Sequence, residues 1–133
     1  MSRRKGRILA FQGLYSWDVS QSPLEEVLKF SWLQSDKEDE EQTFAAMIIS
    51  GTVEHIKEID ALITTHISSN WTFERINKVS LAILRTSVYQ MKFQAGVEPK
   101  IVIDEAVNIA REYGPEDSYK FINAVLDKIG KEE

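Results

Sequence analysis

The sequence predicts an all-α fold. Over 133 residues only three prolines and six glycines interrupt the chain, and the apolar residues between them recur mostly at three and four rather than at two, the period of a helix with one buried face. Hydrophobic residues at 43% and charged residues at 28% match a folded domain rather than a disordered chain. This length buries one sizeable core, so a single domain over residues 1–133 is expected, and no internal repeat, low-complexity segment or linker divides it.

Each helix carries its own start and stop signals. The first runs from near Arg4 to about Ser20, with Ala10, Phe11, Leu14 and Trp17 at the centre of its apolar arc, Ile8 and Tyr15 on the flank and Gln12 toward solvent. Ser22-Pro23-Leu24-Glu25 opens the second, with a Ser cap, Pro at the first helical position and Glu three residues after the cap. That helix spans Leu24 to near Leu33. Ser35 to Glu41 is acidic without an apolar residue, a solvated connection shading into the next helix start, where negative charge is favoured.

Phe44, Met47, Ile48, Ile56, Ile59, Leu62 and Ile63 mark a long third helix with Gly51 as its weak point, ending near Ser68-Ser69-Asn70. The fourth spans Phe73 to Ala95, with Ile76, Val79, Ile83, Leu84 and Val88 on the core side and Gly96 closing it. Pro99 opens the fifth, which carries Val102, Ile103, Ala106, Val107 and Ala110 and stops at Gly114-Pro115. A sixth runs from about Ser118 to Ile129 on a buried face of Ile122, Val125, Leu126 and Ile129, with Gly130 just past its end.

Several chemistries are disfavoured. There is no cysteine, so disulfides and thiolate metal sites are unavailable and a reducing compartment fits. No secretory h-region follows the basic N-terminus, and no apolar run reaches the roughly 18 residues of a membrane span. A cytoplasmic location without membrane contact is expected. His55 and His66 lie three helical turns apart and lack metal-ligand spacing, and neither a Gly-rich phosphate loop nor a nucleophile with its base can be assembled. Asp104-Glu105 and Glu116-Asp117 are explained by helix starts and solvated faces. The chain is therefore expected to have no enzymatic activity, metal or cofactor.

Charge is more informative. The net charge is -5, yet the first seven residues carry Arg3, Arg4, Lys5 and Arg7 with no acid among them. Cations hold phosphates, and aromatic and amide groups stack on or bond to unpaired bases, so a local RNA site at the N-terminus is expected on an otherwise acidic body. Gln12 and Tyr15 stand where they would touch a ligand held by the basic tract; spacing alone fits equally a solubilising terminus with a half-buried core tyrosine. Near the other end, Lys120 lies outside the buried face beside a helix N-terminus and Phe121 falls at its edge. Taken alone, that stretch reads more simply as an Asp117 or Ser118 cap with Phe121 as peripheral core. The acidic remainder suits a basic protein partner.

Four stretches in order add a resemblance. Arg-Arg-Lys-x-Arg followed by Ala10-Phe11-Gln12-Gly13-Leu14-Tyr15, then Leu81 to Tyr89, then Pro99 to Val107, then Gly114 to Ile129 are together similar to the NusB family. The likeness covers nearly the whole chain and is loose only between Leu24 and Asn70. It implies about six to seven helices in two packed small bundles and no catalysis. It also implies binding of single-stranded boxA RNA as a heterodimer with NusE, a small-subunit ribosomal protein, in an antitermination complex with RNA polymerase on ribosomal RNA operons. A homodimer that covers the RNA surface until the partner arrives is conceivable.

Residue by residue, the resemblance places the arginine-rich motif on Arg3, Arg4, Lys5 and Arg7, backed by Gln12 and Tyr15. It places a second RNA region on Asp117, Ser118, Lys120 and Phe121, and a NusE-facing surface on Glu74 through Ile83. Three positions depart from the family pattern. Gly6 replaces a usual alanine, which is expected to loosen the first turn; Ser80 replaces a residue acidic in some relatives; Ala124 replaces a usual glycine. Two rival readings accompany this one. The NusB-like domain of ribosomal RNA methyltransferases shares the fold, but those enzymes need a Gly-rich α/β cofactor domain, which has no counterpart here. A helical adaptor that contacts only proteins would make the basic tract a tail.

Overall fold

A computed structural model describes residues 2–33 and 39–132, which form helices and turns and contain no strand. The helices are α1 (Arg3–Val19), α2 (Leu24–Val27), α3 (Glu40–Glu54), α4 (Ile56–His66), α5 (Lys78–Lys92), α6 (Pro99–Tyr113) and α7 (Ser118–Lys131), with a 3₁₀ turn at Phe73–Arg75 between α4 and α5. Most of the acidic connection lies outside the described residues. Its end does not: the Asp39 carboxylate accepts from the Gln42 N–H at 2.9 Å and caps α3, whose first turn holds Glu40 and Glu41.

The buried side chains form two clusters, and α1 contributes to both. Leu9 and Ala10 pack with Val27, Phe30, Phe44, Ala45, Ile48 and Ile49 of the α2–α3 side. Phe11 and Leu14 pack with Ile59 and Ile63 of α4 and the inner faces of α5, α6 and α7. A helix covered on two sides needs small residues where a neighbour comes close. A Cβ on Gly6 would lie 2.6 Å from Phe44 Cδ2, so glycine is what lets α1 and α3 touch. α1 is regular from Arg3, and the Ser2 hydroxyl caps it by accepting from the Lys5 N–H.

Several boundaries differ from the sequence reading, each for a packing reason. The long third helix is two helices, broken at His55 (φ -105°, ψ 21°) rather than at Gly51. The break turns α4 toward the α5–α7 cluster, and the His55 ring stacks on Phe93 at 4.0 Å. Gly51 is a contact instead, since a Cβ there would come within 2.2 Å of the Tyr89 ring. Met47 is 44% exposed, because Phe44, Ala45, Ile48 and Ile49 already occupy the inward face of α3. The second helix ends after one turn at Val27 and continues as turns. Phe73 belongs to the separate 3₁₀ turn, and α5 starts only where the Asn77 side chain accepts from the N–H groups of Val79 and Ser80. Gly130 lies inside α7 against Met91 rather than beyond its end, and Ala124 is exposed, outside the packing.

One ion cluster around the buried Arg85 ties three helices together. Arg85 of α5 donates through Nε and Nη2 to the two carboxylate oxygens of Asp60 of α4, each at 2.8 Å, and its Nη1 lies 3.3 Å from Asp18 of α1. Its guanidinium also lies over the Phe73 ring at 5.6 Å. Among the described residues, no helix is long and apolar enough to cross a membrane.

Candidate nucleic-acid interface

The basic tract forms the first turn of α1. Arg3, Arg4 and Lys5 are exposed there with no acid in that turn, which puts three cations at the positive end of a helix dipole. Locally that is unfavourable. Acids from neighbouring helices offset part of it: Arg4 meets Glu112 of α6 at 3.1 Å, and Lys5 approaches Glu41 of α3 at 3.9 Å. Arg3 lies over the Phe44 ring at 4.9 Å.

Arg7 is a different case. It is 8% exposed, and its Nε donates to Oε1 of Gln90 at 2.7 Å, so its guanidinium is turned inward rather than displayed with the other three. Burial lowers its pKa from the ordinary value, Glu105 raises it and Arg3 lowers it further. The reason is its place on the wheel, one turn before Phe11, on the side of α1 that meets α5 and α6.

Gln12 and Tyr15 line one groove of about 520 Å³ with Phe11, Ser16, Trp32, Leu33, Val79 and Tyr113. Tyr15 is half-buried against the larger core cluster. Tyr113 stands edge-on to Phe11 with ring centroids 5.5 Å apart. Trp32 and Tyr113 were not legible as site residues, because each reaches the groove from another part of the chain.

The C-terminal turn of α6 links the two predicted regions. Glu112 reaches Arg4 and Tyr113 reaches Phe11, and five residues after Tyr113 α7 begins with the second region. Asp117 precedes α7 in a left-handed conformation (φ 66°) and makes no side-chain cap; its carboxylate faces Lys120 at 3.6 Å. Lys120 is exposed. Ser118 is half-buried, and its Oγ is buried without a hydrogen-bond partner among the described residues. Phe121 packs partly on the core and lies 5.5 Å from Trp71.

The two partner-facing residues separate. Glu74 is exposed on the 3₁₀ turn, whereas Ser80 is 2% exposed beneath the Asn77 cap, so its side chain does not face solvent. Both histidines are engaged within the fold: His55 Nδ1 lies 3.1 Å from Glu58, and His66 contacts the Leu62 carbonyl and Glu132.

This arrangement offers exposed cations for phosphates and an aromatic and amide groove for planar bases. The sequence is 49% identical to the transcription antitermination protein NusB of Treponema denticola over 97% of this chain and 96% of that one. It is 43% identical to the NusB of Borreliella burgdorferi over 94% and 91%. Among solved structures, T. maritima NusB superposes with a TM-score of 0.88 at 31% identity, covering 100% of this chain and 93% of that one. A structure of antitermination factors NusB and NusE in complex with double-stranded RNA matches with a TM-score of 0.81 at 29% identity, covering 97% and 96%. The sequence model of the NusB family matches residues 4–131, and the chain belongs to that family.

Proposed function

We propose that this chain is a transcription antitermination factor that holds single-stranded boxA-type RNA together with a NusE-like ribosomal protein, within a complex with RNA polymerase on ribosomal RNA operons. The observation that carries the reading is the first turn of α1. Three exposed cations at a helix N-terminus are costly in isolation, and a phosphate backbone reverses that cost. The adjoining groove of Gln12, Tyr15, Trp32 and Tyr113 suits unpaired bases, whose faces and edges are open, better than a closed duplex.

In this reading Arg3, Arg4 and Lys5 hold phosphates, while Gln12, Tyr15 and Phe121 approach bases. Asp117, Ser118 and Lys120 shape the second contact, and Arg7 acts behind the surface by anchoring α1. Glu74 meets the basic partner; Ser80 supports the α5 start beneath that surface. The chain works as a single domain over residues 1–133 in the cytoplasm and catalyses no reaction. The relatives named NusB support this role, and the solved assembly with NusE and RNA supports the partners.

The test is an RNA titration with and without NusE, comparing a boxA-like RNA with a scrambled sequence. Tighter binding of the boxA-like RNA, strengthened by NusE, is expected. Equal affinities would refute specific recognition.

A further inference from the structure

We propose that Trp71, paired with Phe121, is a stacking platform for an unpaired nucleobase at the edge of the RNA face. Trp71 is 47% exposed, the most exposed aromatic side chain among the described residues. Its ring lies 5.5 Å from that of Phe121 at a tilt of 40°. Phe121 is held by the core beneath it. The backbone under Trp71 is held too: its N–H donates to the Ser68 carbonyl at 2.9 Å, closing a turn after α4. A large ring kept open to solvent on a fixed turn is a preorganised stacking surface rather than a loose side chain.

Continuity with the proposed RNA region, through Phe121, decides between occupants. Lys120 precedes Phe121 on α7, and Arg75, exposed on the 3₁₀ turn four residues after Trp71, has no acidic partner among the described residues. Glu74 precedes Arg75 on that turn, Asp117 precedes α7 and is paired with Lys120, and Asp127 further along α7 is paired with Lys131, so the charge around the two rings is mixed. An open aromatic pair with a cation on the neighbouring turn suits a nucleotide, whose base stacks while its phosphate reaches the charge. Phe121 and Lys120 also belong to the proposed RNA region, which the platform extends.

This inference rests on the reading that the face holds RNA. The experiment measures fluorescence anisotropy of a labelled boxA-like RNA, in the presence of NusE, against the wild type, Trp71→Ala, Trp71→Phe, Phe121→Ala and the Trp71→Ala/Phe121→Ala double variant. Each is titrated at several salt concentrations, and circular dichroism checks the fold. Trp71→Ala is expected to weaken binding on the order of ten-fold with the salt slope unchanged, because a base and not a phosphate is lost. Trp71→Phe should recover most of the affinity, and the double variant should be little worse than Trp71→Ala alone if both rings serve one base. Wild-type affinity in Trp71→Ala, against salt-dependent binding by the wild type, overturns the platform and leaves the RNA reading standing. Weaker NusE binding by Trp71→Ala without RNA, at unchanged RNA affinity, reassigns the ring to the protein partner and also overturns it. Absence of salt-dependent RNA binding by the wild type defeats the underlying reading, and the platform with it.

Discussion

Arg7 and Gln90 join the basic end of α1 to the far end of α5: the Arg7 Nε donates to the Gln90 Oε1 at 2.7 Å, and both side chains are buried. The Gln90 amide also donates to the Thr86 carbonyl, so the arginine meets an acceptor already fixed in orientation. The exposed cations Arg3, Arg4 and Lys5 are thus carried by a helix pinned one turn further on.

Arg7→Met should therefore destabilise the fold by about 2 to 3 kcal/mol, since it removes a charge-assisted bond and leaves a buried amide oxygen unpaired. Thermal melting measures this, and Gln90→Met in the same background should restore part of the loss. The pH sign follows from burial. A lowered folded pKa makes the buried cation a cost, and that cost is relieved only as pH rises through the folded value, far above neutrality for an arginine. The stability difference between Arg7→Met and wild type should stay flat from about pH 6 to 9. A melting difference that changes across that window would show that another group couples to Arg7.

Arg85→Ala should also be damaging, by about 2 to 4 kcal/mol, because it leaves the partly buried Asp60 carboxylate without its counter-ion. Two parallel bonds at 2.8 Å make this pair geometrically specific, and lysine is not expected to replace it. Asp18→Asn should cost less than Asp60→Asn, since the Asp18 contact is longer at 3.3 Å. Urea denaturation of the three variants gives the order; equal losses for the two asparagine variants would contradict it.

Gly51→Ala sets two effects against each other. Helix propensity alone favours alanine by roughly 0.5 to 1 kcal/mol. The new methyl would have to displace the Tyr89 ring, and overpacking a close contact costs about 1 to 3 kcal/mol. The packing term is larger, so a lower melting temperature is expected, with a smaller penalty in a Tyr89→Leu background. Stabilisation by Gly51→Ala would show that the ring yields freely.

The contrast between Arg3 and Arg7 shows what the sequence could and could not disclose. Periodicity placed Phe11, Leu14, Ile83, Leu84, Ile122, Val125, Leu126 and Ile129 inside, and all are buried. Pro99 and Gly114 bounded α6 closely, because each acts through its own backbone. Arg7 was grouped with its basic neighbours since charge is read along the chain, whereas burial depends on which helix crosses over it. The same limit hid Arg85–Asp60, Trp71–Phe121 and the Tyr113 side of the groove. Each joins segments far apart in sequence, and no local spacing encodes such a meeting. Gly51 shows the converse: the residue was visible as a weak point, but its reason, the Tyr89 ring, lies on another helix.

Glu112 and Glu41 make the final prediction, since they occupy two of the three exposed cations in the free protein. The Arg4–Glu112 pair is exposed on both sides and worth about 0 to 1 kcal/mol, so Glu112→Gln should barely change stability, whereas Glu41 is partly buried and also accepts the Ser2 N–H at 3.0 Å. RNA binding should respond more. If Arg3, Arg4 and Lys5 each neutralise one phosphate, log affinity falls with log salt at a slope near -2, at roughly -0.7 per contact. Glu112→Gln frees Arg4 from its internal competitor and removes a charge that repels the backbone. Affinity for a boxA-like RNA should then rise about two- to five-fold at low salt, and the gain should fade as salt screens the site. Replacing Arg3, Arg4 and Lys5 together by alanine should flatten the slope and abolish the Glu112→Gln gain. An unchanged affinity in Glu112→Gln, measured alongside a steep wild-type slope, would place the phosphates on other cations than Arg4.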